Sequence, residues 1–390
     1  MTASALHVVP PTQSMPAAAI LDRIAEMFSR FAVLPNKHCA PMLALWAAHT
    51  WVVEHFYVTP KLLLSSAEPE SGKTRVLELL RHFTRQPEIT VGGSAAALVR
   101  MIAAEPLTLL MDEVDTVFAA GGSGNEDVRQ MLNSGYKRGA TIPKTKGDAS
   151  GGFVVERLPV FAPVALAGLA GNFPPTITTR AITVHMRKRR HNQDVESYRE
   201  RKFELEAAPL RDALISWLDS IGEDFATCEP DMPPGIRDRA AEAWECLLVI
   251  ADHAGDHWPG TARNACTDFV RQGRNTPLSD GTRLLTDLRD LYRACGTDRM
   301  HTSDILNHLN NLDDSPWGEY RNGRPLNARQ LSSLLAAYYV APICVEINGK
   351  NTRGYVTFPT ATQRDQVGLI DAWDRYLPAD TSGDDKGESR

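Results

Sequence analysis

The chain has 390 residues, 43% hydrophobic and 23% charged, with a net charge of −6, the make-up of a globular protein of two or three domains. The negative balance excludes nucleic-acid binding by the whole surface and leaves it to local basic patches. No apolar run reaches membrane-spanning length, and Met1–Ala19 has no basic segment followed by an apolar core, so neither a membrane span nor a secretion signal is expected. The six cysteines (Cys39, Cys228, Cys246, Cys266, Cys295, Cys344) form no C-x-x-C pair. They read as reduced thiols of a cytoplasmic protein rather than as zinc ligands.

Residues 1–15 read as a loose arm. Ile20, Ile24, Met27, Phe28 and Phe31 fall at helical spacing and predict a helix from Ala17 that stops at Pro35. A second helical stretch, Pro41 to Phe56, is apolar on most faces and is expected to be buried. His49 and His55 lie on it and read as buried polar contacts, because no further ligand stands at matching spacing.

Leu62-Leu63-Leu64 then runs into a polar turn, and Gly72-Lys73-Thr74 opens a helical pattern through Val76, Leu77, Leu79, Leu80 and Phe83. This is the strand, loop and helix of a phosphate-binding P-loop. Ala67, Glu68, Pro69, Glu70, Ser71, Gly72, Lys73, Thr74 and Arg75 are expected to surround the phosphates of ATP, with backbone N–H groups and a helix N-terminus facing the anion. Lys73 would supply a point charge to the outer phosphates, and Thr74 a hydroxyl for Mg2+. Ala67 occupies the place of the first glycine in G-x-x-x-x-G-K-[ST], so that turn is expected to keep a negative φ or carry mild strain.

Glu88–Val91 can form a second strand, followed by a helix capped by Ser94 and running through Ile102. Leu107 to Glu113 reads as a buried strand ending in two acids, one βαβ unit after the P-loop. Asp112 would hold Mg2+ through water, and Glu113 would orient and activate the attacking water. A helix from Asp127 to Ser134 precedes two strands, Ala140–Pro143 and Phe153–Leu158, joined by a Gly-rich connection carrying Lys144 and Lys146. Those lysines fit either the phosphates of a nucleic acid or a solvated loop. Val160–Leu169 is another strand, ending at Asn172, which reads either as a contact for the γ-phosphate or the attacking water, or as a turn residue. Arg180 precedes a final strand, Ala181–Met186, and is placed to reach a neighbouring subunit's γ-phosphate as an arginine finger. Arg187-Lys188-Arg189-Arg190 reads as a solvated face that can also meet nucleic acid.

Five parallel strands with intervening helices make residues 58–190 a P-loop α/β domain with helices on both faces of its sheet. It follows N-terminal helices (1–57) and precedes a helical lid or linker (191–275). In the latter, Arg237 and Arg239 open a helix and read either as lid arginines touching nucleotide in cis or as surface salt-bridge partners. Residues 276–377 have a winged-helix outline: helices at Gly281–Ala294, Ser303–Leu312 and Ala328–Tyr339, then strands Ile343–Ile347 and Tyr355–Phe358. Such a module binds DNA or packs against protein. Residues 378–390 read as a disordered tail.

The P-loop, Leu109-Leu110-Met111-Asp112-Glu113, Asn172 and Arg180 resemble an AAA+-type ATPase. The closer resemblance is to an actinobacterial and phage ATPase family named only as a domain of unknown function. It is carried by Ala44–Thr50, Leu132–Gly139, Pro175–Arg180, Met232-Pro233-Pro234, Trp244, Leu247-Leu248, Ile250-Ala251-Asp252, Ser315-Pro316-Trp317 and Arg353-Gly354-Tyr355, across residues 35–377. The resemblance implies ATP hydrolysis by a homo-oligomer, with a role in DNA metabolism such as a helicase, translocase or remodeller. A nucleotide-gated DNA-binding loader and an ATP-driven protein remodeller are the alternatives. Thr179 departs from the family pattern, which has Asp before the arginine.

Overall fold

Lys61-Leu62-Leu63-Leu64-Ser65-Ser66 is buried throughout and forms strand β1 (Lys61–Ser66), an interior strand of a five-stranded sheet. The computed structural model describes residues 15–90, 95–118, 125–147, 153–171, 173–190, 192–274, 280–313, 315–321, 323–358 and 368–377. The chain divides into two units, Met1–Arg274 and Asn275–Arg390.

In the first unit, α1 (Ala17–Phe31) and α2 (Cys39–His49) lead to β1. Then follow α3 (Lys73–Phe83), β2 (Pro87–Thr90), α4 (Ala95–Ala104), β3 (Thr108–Met111), α5 (Asp115–Phe118) and α6 (Asn125–Ser134). A hairpin of β4 (Thr141–Gly147) and β5 (Phe153–Pro159) comes before β6 (Val164–Leu169), α7 (Pro175–Thr178) and β7 (Ala181–Met186). The helices α8 (Glu200–Ile221), α9 (Asp238–Ala254) and α10 (Trp258–Arg274) complete the unit. The sheet order is β2-β3-β6-β1-β7, and every pairing is parallel. This is a parallel α/β architecture of the P-loop kind, with helices on both faces of the sheet.

Strand alternation divides the apolar residues between two cores. Leu62, Leu64, Leu110, Ala165, Ala167, Ile182 and Val184 join residues of α1, α2, α3, α8, α9 and α10 in one cluster. Leu63, Leu109, Met111, Val164 and Leu166 join residues of α4 and α6 in the other. The N-terminal helices, the sheet and the helices after Met186 therefore share a single body of packing.

Two expected elements differ. The helix expected over Pro41–Phe56 ends at His49, where the Thr50 hydroxyl turns back to donate to the Ala47 carbonyl (2.7 Å), and a 3-10 turn at Val53–His55 follows. Lys144 and Lys146 stand within β4 and not on the connection, because the ladder continues through Lys144↔Glu156 and Lys146↔Val154. Ser94, expected as a cap, lies outside the described residues.

The second unit runs α11 (Asp280–Cys295), β8 (Arg299–His301), α12 (Thr302–Asn310), α13 (Ala328–Ala336), β9 (Ile343–Ile347), β10 (Lys350–Val356) and α14 (Leu369–Tyr376). Its antiparallel sheet has the order β8-β10-β9; β8 was not expected, and the strand expected over Tyr355–Phe358 begins instead at Lys350, because the ladder with β9 runs from Lys350 to Gly354. The β9–β10 turn has positive φ at both Asn348 and Gly349, as a two-residue hairpin turn requires. The Asn327 side chain accepts from the N–H groups of Arg329 and Gln330 and starts α13 in a capping box. Thr302 is the first residue of α12, with His301 in the cap position. The last helix, α14, had no counterpart in the sequence reading.

Lys61 is an exception to the apolar sheet. It is 1% exposed, and its Nζ has no hydrogen-bond partner among the described residues. Desolvation, aided by the nearby Arg180 charge, pushes its amine from 10.5 down to about 7. A base with a lowered folded pKa binds fewer protons folded than unfolded between the two values, so stability rises with pH across that window. Lys61→Met is accordingly expected to stabilise the protein by on the order of a few kcal/mol at neutral pH, with the advantage shrinking from about pH 7 to pH 10.5. Urea denaturation across that range measures it, and an unchanged or lower midpoint for Lys61→Met contradicts it.

Candidate nucleotide site

Because β1, β3 and β6 are parallel, their C-terminal ends meet at one edge of the sheet. The loop after β1 turns there with positive φ at Glu70 (59°) and Gly72 (85°), and α3 begins at Lys73. Ala67 is not among the positive-φ residues, so the alanine in place of the first glycine sits in ordinary backbone. Ala67, Glu68, Pro69 and Glu70 are exposed and Ser71 is buried. The first turn of α3 presents its N–H groups toward this loop, the arrangement that suits an anion.

Lys73 Nζ donates to Ser66 Oγ (2.5 Å) and approaches Ser71 Oγ at 3.4 Å. Ser66 Oγ in turn donates to the Glu68 carbonyl (2.6 Å). Two strands along the sheet, across β6, Asp112 follows β3, and the Thr74 hydroxyl donates to its Oδ2 at 2.7 Å. Asp112 Oδ1 accepts from the Glu113 N–H at 2.8 Å. Glu113 itself is exposed and has φ 52°, a left-handed conformation costing a non-glycine residue roughly 1–2 kcal/mol. Strain of that kind gathers where a side chain must be aimed.

The hydroxyl–carboxylate pair of Thr74 and Asp112 is an all-oxygen donor set, the chemistry a magnesium ion prefers. Among the described residues no group of three or more His, Cys, Asp or Glu could hold a metal alone. Magnesium would thus be held by Thr74 and Asp112 together with phosphate oxygens and water.

The structure brings Lys73, Thr74, Asp112 and Glu113 together. Asn172 lies outside the described residues; its neighbour Ala170 donates to the Ser66 carbonyl (2.8 Å), so the end of β6 is tied to the start of the loop. Arg75 stands one residue past Thr74 with its guanidinium 4.1 Å from the ring centroid of Tyr198 and paired with Glu78.

Arg180 and Arg239 are elsewhere. Arg180 precedes β7, whose Ala181 is level with Lys61 while Met186 is level with Ser66. Six residues of strand at about 3.3 Å each put Arg180 roughly 20 Å along the sheet from the level of Ser66, where the P-loop begins. There its guanidinium lies 4.9 Å from the Tyr136 ring centroid, and its Nη1 donates to the Thr176 carbonyl. Arg239 Nη1 lies 3.5 Å from Thr179 Oγ1, at the same far end. An arginine so placed does not meet the nucleotide of its own loop, the cis contact weighed for Arg239. Arg237 caps α9 in extended backbone and is exposed.

Sequence reasoning missed Ser66 and Tyr198. Ser66 is the last residue of β1, and a hydroxyl seven residues before the P-loop lysine was the available signal. Tyr198 had none, since 123 residues separate it from Arg75. His49, by contrast, is the buried polar contact expected. It bonds the Trp46 carbonyl and Thr59 Oγ1, and burial pushes it down to about 4.

Residues 185–376 match the family described as "Protein of unknown function (DUF3631)", a narrower span than 35–377 and one that begins downstream of the P-loop. An uncharacterized 28.9 kDa protein in the xis 5′ region of Saccharopolyspora erythraea is 37% identical over 198 residues, covering 50% of this chain and 69% of that protein. Among solved structures, the NrS-1 C-terminal region is similar with a TM-score of 0.41 and 12% identity, over 91% of this chain and 79% of that one. The Thermotoga maritima RuvB Holliday junction branch migration motor gives 0.25 and 12% over 82% and 92%. The Aeropyrum pernix ORC2 protein gives 0.27 and 9% over 95% and 97%. The chain belongs to the family of the Saccharopolyspora erythraea protein, and its second half carries the region of unknown function that defines DUF3631.

Proposed function

We propose that this chain is a magnesium-dependent ATPase that works on DNA as a homo-oligomer, in the manner of a helicase, translocase or replication-associated remodeller. The observation that carries the reading is the 2.7 Å contact between Thr74 Oγ1 and Asp112 Oδ2, with Lys73 one residue away on the same helix end. Chance does not readily join a Gly-Lys-Thr helix start to an acid at the end of a strand two places along the sheet.

The residues divide the work by position. Lys73 and the loop N–H groups bind and orient the phosphates. Thr74 and Asp112 hold magnesium, which when bound neutralises charge on the phosphate oxygens. Glu113, exposed at the mouth of the site, orients water and accepts its proton. Asn172 contacts the γ-phosphate, and Arg180 reaches the phosphates of a neighbouring copy. DNA contact is supported by exposed cations on two surfaces. One is the hairpin, with Lys146 and Arg157; the other is the winged-helix module, with Arg324, Arg329, Lys350 and Arg353. Among the described residues no helix is long and apolar enough to cross a membrane.

A protein target is the second reading, favoured by Phe153, Val154 and Val155, three consecutive apolar residues that are 81%, 54% and 62% exposed on the hairpin. ATP turnover with and without single- and double-stranded DNA separates the two. Stimulation by one DNA form is expected. A rate that responds to neither form but is abolished in Glu113→Gln moves the target to protein.

Lys73→Ala is expected to lose nucleotide binding. Glu113→Gln is expected to keep binding within about threefold while slowing turnover roughly 100-fold or more, since it removes the base and leaves the phosphate contacts. Fluorescent-nucleotide titration beside a phosphate-release assay checks both, and equal loss of binding in the two variants contradicts the roles.

A further inference from the structure

Ser66, the last residue of β1, is held on both flanks. It pairs with Leu169 of β6 on one side and Met186 of β7 on the other, and it is 3% exposed. Its carbonyl accepts from the Ala170 N–H at 2.8 Å. Its hydroxyl donates to the Glu68 carbonyl at 2.6 Å. That bond commits the hydroxyl proton, so toward Lys73 the oxygen can only accept. The 2.5 Å contact between them is therefore an ammonium donating to a fixed lone pair, a charge-assisted hydrogen bond. Ser71 Oγ, at 3.4 Å from the same amine, is a looser second partner.

We propose that Ser66 is a positioning residue for phosphate binding, holding the Lys73 ammonium at the end of the sheet so that a nucleotide meets a cation already aimed. This rests on the ATPase reading above. Lys73 is the first residue of α3 and carries its charge on a flexible stem, whereas Ser66 is locked between two strands. The hydrogen bond ties the helix to the sheet across a loop whose residues Ala67 to Glu70 are exposed. Ordering a lysine stem costs conformational entropy, and Ser66 places that cost before the arrival of the phosphates. The ammonium keeps further N–H groups for the phosphate oxygens. Ser66 offers them no proton of its own, because its hydroxyl is committed to Glu68, so its effect passes through Lys73. The Ala170 bond sets the lysine's level against the end of β6 through the same residue.

Proton–nitrogen correlation spectra of the lysine ammonium groups, beside nucleotide titration, test the proposal. Wild-type protein without nucleotide is expected to show a Lys73 ammonium signal, identified by its loss in Lys73→Ala, because a bonded ammonium exchanges its protons slowly. Ser66→Ala and Ser66→Cys are expected to lose that signal. Cysteine keeps the shape and replaces the oxygen with a weak acceptor, so it separates the hydrogen bond from the packing. Both variants are expected to bind fluorescent ATP about tenfold more weakly than wild type. Binding within about twofold of wild type in Ser66→Cys overturns the proposal. Tighter binding overturns it too, by showing that the hydroxyl keeps the lysine from the phosphates. Weaker binding with the Lys73 signal retained means that the effect bypasses the lysine, and absence of the signal from wild type contradicts the contact itself. No nucleotide binding by wild type removes the ATPase reading, and this proposal with it.

Discussion

The parallel bonding of β1 to β6 on one side and β7 on the other fixes the polarity on which the rest of the first unit depends. Parallel strands present all their C-terminal ends at one edge and all their N-terminal ends at the other. The loop before α3, the acids after β3 and the end of β6 are thereby collected at one edge. The Tyr136–Arg180–Arg239 group is collected at the opposite one. An antiparallel β7 would have brought Arg180 to its own P-loop. The observed polarity keeps it a strand length away, so a role for this arginine in hydrolysis requires another subunit.

The two edges carry different costs. At the loop edge the cost is conformational: positive φ at Glu70 and Glu113, about 1–2 kcal/mol each. At the other edge it is electrostatic, in the desolvated amine of Lys61 beside Arg180. Neither cost is met locally. The two cores that sandwich the sheet, with Leu62 and Leu64 facing one and Leu63 the other, contribute about 1.5–3 kcal/mol for each large apolar side chain fully buried. Both edges can hold unfavourable groups because the layers between them pack on both faces.

What could be read from the sequence was what local pattern encodes. The strand β7 was legible to the residue, as was β9, because each is a short β-branched run bounded by turn residues. The P-loop and the acid pair were legible because Gly-Lys-Thr and Asp-Glu stand at strand ends. The sharing of one core by α1, α2, α3, α8, α9 and α10 was not, since apolar periodicity tells which face is buried and not against what. Arg239 shows the same gap. Its place at a helix start suggested a lid, but whether that helix lies over the loop or at the far edge depends on packing among segments some 60 residues apart. Gly135 is a further case: a Cβ there would meet the Val160 carbonyl oxygen at 2.2 Å, a close approach that no local pattern announces.

The β4–β5 hairpin follows from the same topology. The chain leaves β3, passes α5 and α6, makes the hairpin and returns as β6, so the hairpin is inserted between two adjacent strands of the sheet whose ends flank the candidate nucleotide site. Its base is anchored, since Ile142 and Leu158 enter the second core. Beyond that base the ribbon has two faces. Phe153, Val155 and Arg157 alternate along one, while Val154 and Glu156 alternate on the other, opposite Lys146 and Lys144. Burial cannot account for three exposed apolar residues in a row at the distal end of a ribbon rooted in the core. Their exposure is the feature on which the second, protein-target reading rests.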